Sequence, residues 1–330
     1  MFRHRNELPV EGELLGLDRA TAWLNAAPLT PSGLRGRVVL VSFGTYTCIN
    51  WTRSLPNIRA WADKYADQAL VVIGVQTPEF GFEGDLDNVQ RAIKEMDVRY
   101  PVTVDNDYGV WQAFDNHYWP ALYFVDVNGR IRHHHFGEGE YEESEMVVQM
   151  LLRKGGVDVA EGLVRIDPTG VEATADWHNL RSPESYLGYE HAVGFASIGG
   201  ARPDARHVYT APDKLRRSQW ALSGDWRIGD TPVLLNSPGG AISFRFHARD
   251  LHLVMGPPAS RAPVPFRVRL DGEVSGPARG LDIDTDGNGT ADYQRMYQLI
   301  RQPQPIGDRL FEIEFPDGGV EAFVFRSDDQ

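Results

Sequence analysis

The chain has 330 residues, 42% of them hydrophobic and 24% charged, an ordinary globular composition with length enough for two cores rather than one. A formal net charge of −13 repels polyanions and argues against nucleic acid or an anionic membrane surface as partner. A single cysteine excludes both an internal disulfide scaffold and a zinc site built mainly from thiolates.

The opening MFRHRNELPVEGELL lacks the apolar run of about 7–15 residues that a secretory signal needs. Nowhere do about 20 apolar residues run together, so no membrane-spanning helix is expected. As written, the chain reads as cytoplasmic, and a segment of a longer exported protein would read the same way.

Residues 38–42 (VVLVS) form a largely β-branched, apolar run, the pattern of a strand buried on both faces. From Cys48 onward Ile49, Leu55, Ile58, Trp61 and Tyr65 recur at helical spacing. A second buried strand is expected at 70–75, a helix at 85–96, a short strand at 102–104 and a helical turn at 107–114. Residues 121–127 and 131–136 flank Asn128-Gly129, a strong hairpin signal. An amphipathic helix at 142–154 ends on Gly155-Gly156. This alternation predicts a mixed α/β sheet flanked by helices.

Beyond residue 180 the period changes from helical to two: Ile242, Phe244, Phe246; Leu251, Leu253; Phe266, Val268, Leu270; Phe311, Ile313, Phe315; Val320, Ala322, Val324. Short turns between such runs predict an all-β, jelly-roll-like sandwich. The expected division is an α/β domain at 8–155, a linker and packing segment at 156–180, and the sandwich at 181–330.

Cys48 follows a buried strand and opens a helix, so unpaired backbone N–H groups and the positive helix end face its sulfur. That placement favours thiolate and lowers the thiol's pKa. An inert buried cysteine is the alternative reading.

The segment VVLVSFGTYTCINWTRSLPNIRAW, with Pro56 eight residues after Cys48, resembles the active-site strand and helix of TlpA/DipZ-type thioredoxin-like proteins. TPEF at 77–80 and DNDYGVWQAF followed by YWPALYFVDVNGRIRHHHFGEGEY extend the resemblance over residues 8–153. WALSGDW, RFHARDLHLV, DIDTDGNGTADYQRMYQLIRQP and FEIEFPDGGVEAF resemble the carbohydrate-binding-module-like domain that follows thioredoxin in DipZ proteins. The membrane-spanning half of a DipZ protein is not in this sequence. The resemblance implies a thioredoxin fold, a cis bond at Trp119-Pro120, and protein or small-molecule thiols and disulfides as partners.

Two departures alter the chemistry. Trp51 stands where the family has its second cysteine, and Gly44 stands where it has tryptophan. A second thiol normally resolves the mixed disulfide, so Cys48 needs an external thiol, and self-contained dithiol cycling is excluded. The paired changes suggest that the Trp51 indole replaces in space the ring lost at Gly44. No cofactor is required.

Within the resemblance Glu79 is a candidate proton-handling group. Trp51, Phe80, Tyr118, Trp119 and Pro120 are candidates for a substrate groove, the backbone beside Pro120 pairing with an extended peptide. Thr45 and Cys48 satisfy the T-x-x-C spacing of peroxiredoxins, but Val41 stands where those enzymes need proline. Asp284, Asp286, Asn288 and Asp292 follow part of a calcium-loop pattern that lacks its final glutamate, Arg295 occupying that place. Trp177, Trp220, Trp226, Tyr186, Tyr189 and Tyr297 are aromatic groups for carbohydrate stacking or for a sandwich core. Two functions compete: a monothiol thiol–disulfide oxidoreductase using Cys48, and a redox-inactive binding module using the proline groove and the sandwich.

Overall fold

Two short strands, β1 (Gly12–Glu13) and β2 (Ala22–Leu24), precede the first long one, β3 (Val38–Gly44). Every residue of β3 is buried, Ser42 included, as its largely apolar run leads one to expect. Then follow α1 (Ile49–Lys64), β4 (Leu70–Gln76), α2 (Leu86–Glu95), β5 (Val102–Val104) and α3 (Gly109–Ala113). The hairpin β6 (Ala121–Val125) and β7 (Arg130–Phe136) leads to α4 (Tyr141–Lys154). This computed structural model describes residues 7–159, 161–258 and 262–327. The chain divides into two units between Ala173 and Thr174.

The sheet of the first unit runs β1-β7-β6-β3-β4-β5-β2, with β3, β4 and β5 parallel and the other neighbours antiparallel. Side chains alternate across it, so Val38 and Leu40 join one core while Val39, Val41 and Phe43 join another. The first core takes Leu55, Ile58 and Trp61 from α1 and Val147, Val148, Leu151 and Leu152 from α4. Gly44 continues the even-numbered series and so turns its Cα toward the α1 side.

Local signals set the helix ends. The Asp85 carboxylate accepts from the N–H groups of Asp87 and Asn88 (3.0 and 3.1 Å), capping α2. The turn at Asn128-Gly129 is closed by Asp126, whose Oδ1 accepts from the N–H groups of Asn128 and Arg130. Among the described residues no helix is long and apolar enough to cross a membrane.

In the second unit the strands are β8 (Ser185–Tyr186), β9 (Arg206–Tyr209), β10 (Trp220–Ile228), β11 (Val233–Leu235), β12 (Gly240–Phe246) and β13 (Asp250–Gly256). They continue through β14 (Val264–Leu270), β15 (Glu273–Val274), β16 (Asn288–Ala291), β17 (Arg295–Arg301), β18 (Arg309–Phe315) and β19 (Glu321–Arg326). All pair antiparallel. The predicted alternation lies in β12, β13, β14, β18 and β19, where Ile242 faces Ile313 and Ile313 faces Val268 inside the core. β10 joins the two sheets of the sandwich, its first half pairing β12 and its second half β9 and β11. The changeover falls at Gly224, whose φ of +96° is a conformation that favours glycine.

Candidate active site

Cys48 is the N-cap of the 16-residue α1, with extended backbone (φ −79°, ψ 116°). Its N–H donates to the Thr45 carbonyl (3.0 Å), which tightens the loop after β3. Its carbonyl accepts from the Thr52 N–H (3.0 Å) and hydroxyl (2.9 Å), which starts the helix. The thiol therefore sits at the positive end of a helix more than four turns long. Only 5% of the residue is exposed.

Trp51 lies less than one helical turn further on, on the same side of α1. It too is 5% exposed and shares an apolar cluster with Cys48 and Tyr46. A Cβ at position 44 would lie 2.1 Å from its Cδ1, 2.3 Å from its Nε1 and 2.4 Å from its Cγ. The indole thus fills the space that any larger residue at 44 would enter, and the paired-change expectation is matched in geometry. Trp51 Nε1 is buried with no hydrogen-bond partner among the described residues. Leaving such a donor unsatisfied costs about 1–3 kcal/mol.

The Trp119-Pro120 peptide is cis. The pairing of Phe43 with Ala121 brings Pro120 beside the end of β3, and the Pro120 carbonyl accepts from the Gly137 N–H (2.9 Å). The Trp119 ring packs on Trp111 (centroids 4.4 Å apart) and stands edge-on to Tyr108 (6.5 Å). Tyr118, 51% exposed, stacks on Phe136 at 4.6 Å. Phe80 is buried and stacks on Phe82 at 5.8 Å, while Tyr46 meets Phe82 edge-on. Phe80, Trp119 and Tyr118 thus each pair with another ring, and of these three Tyr118 is the exposed one.

Sequence reasoning named Glu79 as a candidate proton-handling group; a second carboxylate, Glu83, lies deeper in the same loop. Glu83 is fully buried. Its Oε1 accepts from Thr47 Oγ1 (2.7 Å), and its Oε2 accepts from the N–H groups of Glu79 (2.7 Å) and Phe80 (2.9 Å). Thr47 directly precedes Cys48, so this carboxylate ties the cysteine loop to the 77–84 loop. Burial, followed by the neighbouring Glu79 charge, raises the Glu83 carboxyl above the usual carboxylate range, against the bonds from Thr45, Phe80 and Thr47. Glu79 itself is partly exposed. A glutamate among Phe80, Gly81, Phe82 and Gly84 was the available signal for Glu83, since an acidic side chain in apolar company must find donors. Arg53, also unanticipated, is buried on α1 with its Nη1 3.8 Å from Oε2 of Glu138.

The proposed calcium residues sit in a turn. Asp284 Oδ1 accepts from the N–H groups of Asp286 and Asn288 (2.9 Å each), and Asp292 Oδ1 accepts from the Tyr297 hydroxyl (2.7 Å) and lies 3.6 Å from Arg295 Nε. Among the described residues no three His, Cys, Asp or Glu side chains lie close enough together to hold a metal ion. Asp284 acts as a turn-closing group, and Asp292 faces a guanidinium rather than fellow carboxylates. Of the aromatic residues weighed for sugar stacking, Trp220, Trp226 and Tyr297 are core, whereas Trp177 and Tyr189 are exposed.

Residues 23–134 match the AhpC/TSA family, and residues 182–326 match a family described as thioredoxin like C-terminal domain. Protein DipZ of Mycobacterium bovis is 35% identical over 241 residues, 72% of this chain and 34% of DipZ. The chain therefore spans about a third of the length of the DipZ proteins it matches. The thiol-disulfide oxidoreductase YkuV of Bacillus subtilis is 30% identical over 131 residues, 40% of this chain and 88% of YkuV. A thioredoxin-like protein solved in its oxidized form is 29% identical with a TM-score of 0.40, covering 46% of this chain and 99% of that one.

A mixed sheet that delivers a cysteine to a helix start beside a cis-proline loop defines the thioredoxin-fold class of thiol–disulfide chemistry. The chain belongs to the TlpA/DipZ-type thioredoxin-like proteins. Its first unit carries the fold of that class with a single thiol, and its second unit is the β-rich domain.

Proposed function

We propose that the chain is a monothiol thiol–disulfide oxidoreductase. The Cys48 thiolate attacks one sulfur of a disulfide, the new S–S bond forms, and the other sulfur leaves as thiolate. An external thiolate then attacks the mixed disulfide, releases Cys48 and carries the substrate fragment away as a new disulfide. The observation behind this reading is the position of the chain's one thiol, at the first turn of α1 with Trp51 where a resolving sulfur would stand. Glu83 supports it by fixing Thr47, and hence the approach to Cys48, from a fully buried position.

The test is intact-mass detection of a Cys48 adduct with a small disulfide across pH, followed by its release with added thiol. Adduct formation with a midpoint below the free-thiol value of about 8.5, absent in Cys48→Ser, supports the enzyme. The slight exposure of Cys48 favours the second reading, a redox-inactive module that keeps the groove beside Pro120 for binding. Protection of the thiol at every pH would establish the module.

A further inference from the structure

The outer face of the sheet β12-β18-β14 carries a hollow of about 480 Å³, walled by the 211–215 loop and by the outward side chains of β12 and β18. Ile242, Phe244, Phe311 and Ile313 point into the core, so the residues between them face outward together. Ser243 is paired with Glu312 and Arg245 with Leu310, which makes Arg245 and Glu312 diagonal neighbours about 7–8 Å apart on one face. All four line the hollow. Opposite charges on such a diagonal could meet directly, yet neither side chain makes a hydrogen bond or an ion pair with a described residue. Burial and the Glu314 charge raise the Glu312 carboxyl, and Arg269, whose charge opposes them, lies 3.9 Å from Glu314 instead. Ser243 is buried at the floor, and its hydroxyl too bonds to no described residue.

Asp213 and Lys214, exposed on the loop, bring the charges around the hollow to two carboxylates and two cations. A simple anion or a simple cation meets as much repulsion there as attraction. A zwitterion is attracted at both ends, because the guanidinium fork fits a carboxylate and Glu312 accepts from an ammonium. Leu215 and Leu310 add apolar wall, and the volume is that of an ordinary small-molecule site. We propose that this hollow binds an α-amino acid with an aliphatic side chain, its carboxylate on Arg245 and its ammonium on Glu312 beside the Ser243 hydroxyl. The site belongs wholly to the second unit and stands independently of Cys48.

The experiment is calorimetric titration of the full chain at neutral pH with three probes. These are L-leucine, isocaproate (leucine without its ammonium) and isoamylamine (leucine without its carboxylate). Leucine is expected to bind with a Kd of about 1 mM or tighter, and each analogue at least about tenfold more weakly for want of one charge-assisted contact. Glu312→Gln keeps the volume and should bring leucine down to the affinity of isocaproate. Arg245→Met keeps the apolar stem and should bring leucine down to the affinity of isoamylamine. Unchanged cooperative denaturation shows that the variants fold, and if Arg245→Met does not, Glu312→Gln carries the comparison alone. Silence toward leucine at about 10 mM, an analogue that binds as tightly as leucine, or leucine binding untouched by the substitutions overturns the assignment.

Discussion

Replacing Glu83 separates a carboxylate that organises the cysteine loop from one that merely sits beneath it. Besides Thr45, three donors converge on it: the Thr47 hydroxyl and the N–H groups of Glu79 and Phe80. Glu83→Ala orphans all three in a fully buried place. At about 1–3 kcal/mol for each orphaned donor, less where the hydroxyl can turn to another acceptor, the loss is about 3–6 kcal/mol. That is a large part of a domain margin of about 5–15 kcal/mol. Glu83→Gln keeps the volume but offers one oxygen where two are used, so it should lose about 1–3 kcal/mol.

The assay is hydrogen exchange at the Glu79 and Phe80 amides in the full chain. Local opening made easier by about 1.4 kcal/mol speeds exchange about tenfold, so Glu83→Gln should accelerate both amides by about that factor. Wild-type exchange rates in both variants would refute the reasoning. A pH arm follows from the raised carboxyl. Because folding disfavours its ionised form, the stability it confers is complete below the ordinary carboxylate value of about 4.5 and falls as pH rises through the higher folded value. Glu83→Gln lacks that fall, so the advantage of wild type over the variant should shrink from low pH to high.

Three further outcomes are expected. Asp85→Ala should lower the stability of the first unit by about 1 kcal/mol in chemical denaturation, through loss of the α2 cap, whereas Asp85→Asn should be nearly neutral. In the second unit burial works to raise the Asp250 carboxyl, but the Arg301 hydrogen bond and the charges of His252, Arg301 and Arg249 outweigh it and hold the group below its ordinary value. Asp250 should therefore stabilise the second unit above about pH 4 and lose that effect as pH falls further through its folded value, a loss absent from the Asp250→Asn acid-denaturation curve. Phe311→Ala, at a fully buried position paired with Phe244 and Leu270, should cost about 3–5 kcal/mol in the second unit's unfolding.

The strands and helices around Cys48 were legible because β3 and β4 are nearly or wholly buried and their runs are apolar apart from Ser42 and the terminal Gln76. β1 and β2 were not, since edge strands of two or three residues carry no measurable alternation. β10 was obscured by Ser223, Gly224 and Asp225 at its middle, where it passes between sheets. At the site, Cys48, Trp51 and Pro120 could be named from motif and position. Glu83 was missed: its apolar neighbours Phe80 and Phe82 hinted at burial, but the Thr47 and backbone donors that hold it are visible only in the fold. In the acidic run at 284–292 the spacing did not reveal which donors each group takes: Asp284 closes a turn and meets the Asn288 amide, and Asp292 accepts from the Tyr297 hydroxyl.

The contact between positions 44 and 51 also imposes an order on change. With the indole at 51 in its present place, any Cβ at 44 would stand 2.1 Å from the ring. A relative with tryptophan at the first position and cysteine at the second cannot exchange the second residue first, because two indoles would claim one volume. The ring at 44 has to go before, or together with, the arrival of the other. Reversal meets the mirror-image obstacle: restoring cysteine alone leaves a hollow beneath it, and restoring tryptophan alone collides. The second thiol can therefore return only at a packing cost, and any ring at 44 has to wait until the indole at 51 has gone.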